Sequence, residues 1–78
     1  MKVLLMGEWR HIAGSSEITL ESRPHTIRKL LNVMEEKYPC GKWGTAMVAL
    51  NHTLYTGDWS RVIKEDEDVC IMPMVEGG

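Results

Sequence analysis

The residues with the clearest chemical potential are the last two. Gly77 and Gly78 follow an apolar run, Val69-Cys70-Ile71-Met72-Pro73-Met74-Val75, after a single carboxylate, Glu76. Glycine has no Cβ and adopts almost any backbone conformation, so this tail is as thin as a peptide can be. It can thread a narrow channel in another protein and offer the α-carboxyl group of Gly78 for reaction. Residues 74–78 reach about 17 Å when extended, at roughly 3.3–3.6 Å each. The alternative is a frayed end, because terminal residues are commonly poorly ordered. Gly78 is therefore the candidate reacting residue, and Pro73, Met74, Val75, Glu76 and Gly77 form a candidate partner-binding tail. Glu76 is either an anchor for a basic pocket or a solvated tail residue.

No second chemistry is written in the chain. Cys40 and Cys70 are the only cysteines, and they form no CxxC and have no neighbouring ligand pair, so no metal site is expected. Both are expected to be free thiols, because a cytosolic chain keeps thiols reduced. His11, His25 and His52 are scattered, and spacing gives no Ser/His/Asp or Cys/His arrangement. The chain would supply a reacting end and its delivery, and leave acid–base catalysis to a partner. Formal net charge is −2, which gives no case for nucleic acid. Trp9, Trp43 and Trp59 have no basic stripe beside them and read as packing residues. From Glu65 onward the charged residues are Glu65, Asp66, Glu67, Asp68 and Glu76. That run is either a solvated turn or a surface offered to a basic partner.

The elements that must hold this tail follow from length and periodicity. Seventy-eight residues make one domain, expected over residues 1–73, with residues 74–78 as a flexible tail. No stretch approaches the ~18 apolar residues of a membrane helix, and the apolar start is too short for a signal peptide. A cytoplasmic protein without a membrane partner is expected. Residues 2–6 read as a strand apolar on both faces, suited to a centre covered on both sides. Residues 9–13 could form a helical turn closed by Gly14. Residues 17–21 alternate polar and apolar, as in a half-buried strand that completes a hairpin. Thr26 is a plausible N-cap. Ile27, Leu30, Leu31, Met34 and Tyr38 then lie on one helix face, and Pro39 and Gly41 end it. Arg28 and Lys29 near its start and Glu35 and Glu36 near its end oppose the helix dipole, so burial must hold it. Residues 45–50, 54–55 and 69–72 read as three further strands.

The order predicts a two-layer α+β domain, a mixed four- to five-stranded sheet with one main helix across one face. It matches the ubiquitin-like β-grasp roll, in which the first and last strands pair in parallel at the sheet centre. Alternation then assigns the faces. Val69, Ile71, Val48 and Leu50 point to the helix, and Cys70, Met72, Met47 and Ala49 point away. With Leu4 and Met6 they make a candidate partner-binding surface beside the tail, unless loops cover them.

Several motifs resemble one family. Arg10-His11-Ile12-Ala13-Gly14 looks like an Arg-Glu-Leu-x-Gly turn, and Thr26-Ile27-Arg28-Lys29-Leu30-Leu31 with Tyr38-Pro39 like a Thr-Val-x-x-Leu helix closing on Tyr-Pro. Val48-Ala49-Leu50-Asn51 is similar to a Val-Ala-Val-Asn strand. Asp66-Glu67-Asp68-Val69 and Pro73-Met74-Val75-Glu76-Gly77-Gly78 are similar to the ending Asp-Gly-Asp-Glu-Val and Pro-Pro-Val-x-Gly-Gly. The chain resembles the ubiquitin-like sulfur carriers, closest to the small subunit of molybdopterin synthase. Met74 replaces the second proline, and the acidic turn lacks its glycine. The resemblance implies that an ATP-dependent activating enzyme adenylates Gly78 and that a sulfur nucleophile converts the acyl-adenylate to a thiocarboxylate. It implies a second partner, the synthase large subunit, whose pocket takes the tail and passes the sulfur to a pterin precursor. ATP belongs to the activating enzyme, and the chain itself is expected to bind no cofactor. Sulfur carriage to thiamine or another metabolite, and ubiquitin-like conjugation through Gly78 to lysines, share the same end chemistry.

Overall fold

Five strands and two helices form among residues 1–21 and 23–73, the residues described by the computed structural model. They are β1 (Lys2–Leu5), α1 (Glu8–Ala13), β2 (Glu17–Thr19), α2 (Ile27–Lys37), β3 (Met47–Leu50), β4 (Thr53–Tyr55) and β5 (Val69–Met72). The sheet order is β2-β1-β5-β3-β4. As expected for a β-grasp roll, β5 lies at the centre, parallel to β1 and antiparallel to β3. The expected tail, residues 74–78, lies outside the described residues, as does Ser22.

The helix α2 forms where the periodicity places it. The Thr26 hydroxyl accepts the Lys29 amide hydrogen at 3.3 Å, satisfying one free donor of the first turn. Ile27, Leu30, Leu31 and Met34 are buried against Val3, Leu5, Val48, Leu50, Val69 and Ile71 in one core. Each such side chain contributes about 1.5–3 kcal/mol on burial, against about 0.3–1 kcal/mol for a misplaced terminal charge. Burial wins, and the charge pattern of the helix is tolerated. Trp9 and Trp43 close one end of the core, with ring centroids 4.5 Å apart. The Trp43 indole N–H donates to the Tyr38 carbonyl at 2.9 Å.

Four expectations need correction. The first strand is not covered on both faces: Val3 and Leu5 are buried, but Lys2 and Leu4 are exposed. Among the described residues the helical cover lies on one side of the sheet and leaves Lys2 and Leu4 on the other face of β1 exposed. The second strand ends at Thr19 and not at residue 21, because Leu20 turns into the core and its backbone closes on Met1. The third begins at Met47, because residues Trp43–Thr45 wind into a 3-10 turn that keeps Trp43 buried. The acidic run is not all solvated turn. Glu67 accepts the Lys64 amide hydrogen at 2.7 Å and pairs with Arg61 at 3.3 Å, and Arg61 in turn donates to the Tyr55 hydroxyl at 3.0 Å. That network is spent on holding the approach to β5.

Candidate functional site

The site has two parts, the outer face of the sheet and the base of the tail. β-strand alternation with apolar residues at both phases gives β5 two apolar faces. The inner one, Val69 and Ile71, is buried; the outer one, Cys70 and Met72, is half-buried. Register carries the outer residues into rows. Leu4 pairs with Cys70, Cys70 with Ala49 and Ala49 with Leu54, one apolar row across four strands. Met72 pairs with Met47 in the next row, and Met6 lies one residue past β1. Leu4, Met6 and Leu54 are 47%, 51% and 55% exposed.

Met47 and Ala49 lie on the expected face, but they are not freely exposed. Met47 is 8% and Ala49 6% accessible. β3 has a neighbour on each side, and the cross-strand partners Met72, Cys70 and Leu54 flank these two positions. They form the floor of the patch, and Leu4, Met6 and Leu54 form its raised parts. Leu54 was not assigned to this surface from sequence. The turn at Asn51 and His52 sets the register that puts it opposite Ala49, and a two-residue hairpin reading there would have found it.

Burial alone pushes the Cys70 thiol above its ordinary range. The nucleophilic thiolate is therefore disfavoured at neutral pH. Cys70 serves here as a small apolar surface group, as expected of a free thiol. Cys40 is also free, and exposed. His11, His25 and His52 are exposed, and no group of three or more metal-capable side chains forms among the described residues. Trp9 and Trp43 are core residues, and Trp59 packs at the core margin.

The base of the tail is tied down at both ends of β5. Asn51 and Asp68 exchange two hydrogen bonds of 2.8 Å at its start, with Asn51 in the left-handed region at φ 56°. At its end the Met6 amide donates to Ile71 O at 3.0 Å. Pro73 follows β5 and has no N–H to extend the ladder. It meets Gly7, where a Cβ would overlap its ring. Sequence gave no signal for that contact, since 66 positions separate the two residues (73 − 7). Met74, Val75, Glu76, Gly77 and Gly78, the rest of the expected site, lie outside the described residues.

A roll with a central parallel strand pair, one covering helix and a bare apolar face is the ubiquitin-like β-grasp architecture. The chain belongs to the ThiS family, whose model matches residues 3–78. This agrees with the resemblance to the ubiquitin-like sulfur carriers. Solved structures share the fold at low identity. A protein described as molybdopterin converting factor, subunit 1, from Pyrococcus furiosus is 19% identical, with a TM-score of 0.74 over 95% of each chain. Small archaeal modifier protein 1 of Methanosarcina acetivorans is 22% identical, with a TM-score of 0.74 over 99% of this chain and 94% of its own. The corresponding protein of Haloferax volcanii is 17% identical, with a TM-score of 0.70 over 99% and 97%. No curated protein matches the sequence significantly. No helix among the described residues is long and apolar enough to cross a membrane.

Proposed function

We propose that the protein is a sulfur carrier that loads sulfur on Gly78 and delivers it to molybdopterin synthesis. The observation that carries this reading is the family match, which runs through the diglycine end. The low-identity likeness to a molybdopterin converting factor subunit supports the choice of acceptor. A carboxylate is a poor electrophile, so it must be activated first. On an adenylating enzyme, a Gly78 carboxylate oxygen attacks the α-phosphorus of ATP and pyrophosphate leaves. Hydrosulfide then attacks the carbonyl carbon, AMP leaves, and the resulting thioacid loses its proton to give a thiocarboxylate. The bare face carrying Leu4, Cys70, Met72 and Leu54 would dock first this enzyme and then the synthase large subunit. Met74, Val75, Glu76 and Gly77 would thread into each active site, with Pro73 at the base of the tail.

Intact-mass measurement after incubation with the activating enzyme, ATP and a sulfur source tests the chemistry. One oxygen of the full chain should be exchanged for sulfur, and deletion of Gly78 should abolish the exchange and leave the melting temperature unchanged. Transfer by the truncated protein would refute the reading. A second reading, conjugation to other proteins, is favoured by the likeness to two archaeal modifier proteins. Isopeptide adducts on lysines, in place of a thiocarboxylate, would select it.

A further inference from the structure

We propose that Gly7 is a positioning residue for the tail: it is the seat for Pro73, and this contact sets the point at which the chain leaves the sheet toward Gly78. The inference rests on the carrier reading above. Three observations meet at this point. Residues 6–9 form a tight turn, in which the Trp9 amide donates to Met6 O at 3.3 Å and Gly7 takes φ 60° and ψ −133°. Those angles are close to the first central position of a type II′ turn, which glycine dominates. The Met6 amide, one residue earlier, donates to Ile71 O, so the turn is tied to the end of β5. Finally, a Cβ at Gly7 would overlap Pro73 Cγ and stand 2.9 Å from Cδ, closer than real Cβ atoms approach carbon.

Pro73 is suited to such a seat. Its ring fixes φ near −65° and its missing N–H ends strand pairing. A residue of fixed φ, held against this turn, holds the base of the tail at one point on the fold. A partner that grips the outer face then meets the base of the tail at a constant distance from that face. Turn formation alone would require glycine but not its closeness to Pro73. Gly14 separates the two roles: it also has positive φ, 74°, as the C-cap of α1, but a Cβ there meets nothing within 4 Å.

The test compares the full-length wild type with Gly7→Ala, Gly14→Ala, Pro73→Ala and the double variant Gly7→Ala/Pro73→Ala. Thiocarboxylate formation is followed by intact mass, with kcat and KM measured separately. Gly7→Ala should lower kcat about tenfold to a hundredfold, the usual scale for a misplaced reacting group. Its KM should hold, because the docking face is untouched. Gly14→Ala should share the loss of thermal stability and keep wild-type kcat. In the double variant kcat should recover to the Pro73→Ala value. Equal kcat for Gly7→Ala and Gly14→Ala overturns the seat and leaves the carrier reading standing. If Gly7→Ala does not fold, Pro73→Ala decides, and a wild-type kcat there overturns the proposal. A wild type that gains no sulfur refutes the carrier reading instead. The seat is then judged by nuclear Overhauser contacts between Gly7 Hα and the Pro73 ring in the wild type, whose absence overturns it.

Discussion

The two faces of β5 are made of similar residues and meet different fates. Val69 and Ile71 are sealed beneath α2, whereas Cys70 and Met72, one step out of phase, lie on a face without helical cover among the described residues. Hydrophobicity alone therefore does not separate core from interface in a small roll. The number of covering layers does. A parallel strand pair normally has helices on both faces. Here one layer is missing, and the apolar surface it would have covered lies next to the base of the tail.

The strongest way to break the comparison is to truncate the inner face. Ile71→Ala should cost about 2–5 kcal/mol, since burial is complete and the cavity cannot fully collapse. Urea denaturation should show most of the domain's stability lost, and a small change would mean that the inner face is not the core. Next comes the outer face. Leu4→Asp and Leu54→Asp should leave stability within about 0.5 kcal/mol, as for ordinary surface positions. If these residues anchor the partners, each should weaken binding to the activating enzyme by about 2 kcal/mol or more in calorimetry. Unchanged affinity would remove this face from the functional site.

Smaller effects sharpen the inner layer. Trp9 and Trp43 are stacked and both buried, but the Trp9 indole N–H has no acceptor among the described residues. Trp43→Phe should therefore destabilise more than Trp9→Phe, by about 0.5–1.5 kcal/mol, because it removes one of the two hydrogen bonds to the Tyr38 carbonyl and leaves only that from the Gly41 amide. Equal losses would show that volume alone governs that end of the core. The smallest effect concerns Cys70. Burial holds its proton to higher pH in the folded than in the unfolded chain. It therefore leaves stability unchanged at neutral pH and lowers it as pH climbs above the ordinary thiol range. Cys70→Ala should flatten that alkaline decline in a series of urea melts.

Much of this was legible in the residues because it depends on local spacing. The face of α2, the Thr26 cap, the Gly14 stop and the span of β5 follow from side-chain period and backbone chemistry. The outer-face assignments of Cys70, Met72, Met47 and Ala49 follow from strict alternation along a strand. Their degree of exposure did not, because it depends on which strands flank them. The internal use of Glu67 was equally hidden, since its partner Arg61, itself bonded to Tyr55, is brought to it by the course of residues 55–67.

The sequence by itself determined the roll, its helix, the phase of β3 and β5 and the family to which the chain belongs. All of these rest on periodicity and short motifs, which need no knowledge of distant neighbours. Only the tertiary structure decided that the face of β1 away from α2 lies open, that Leu54 joins Leu4 in one row, and that Pro73 rests on Gly7. Those are meetings between residues far apart in the chain, and packing, not local preference, brings them together.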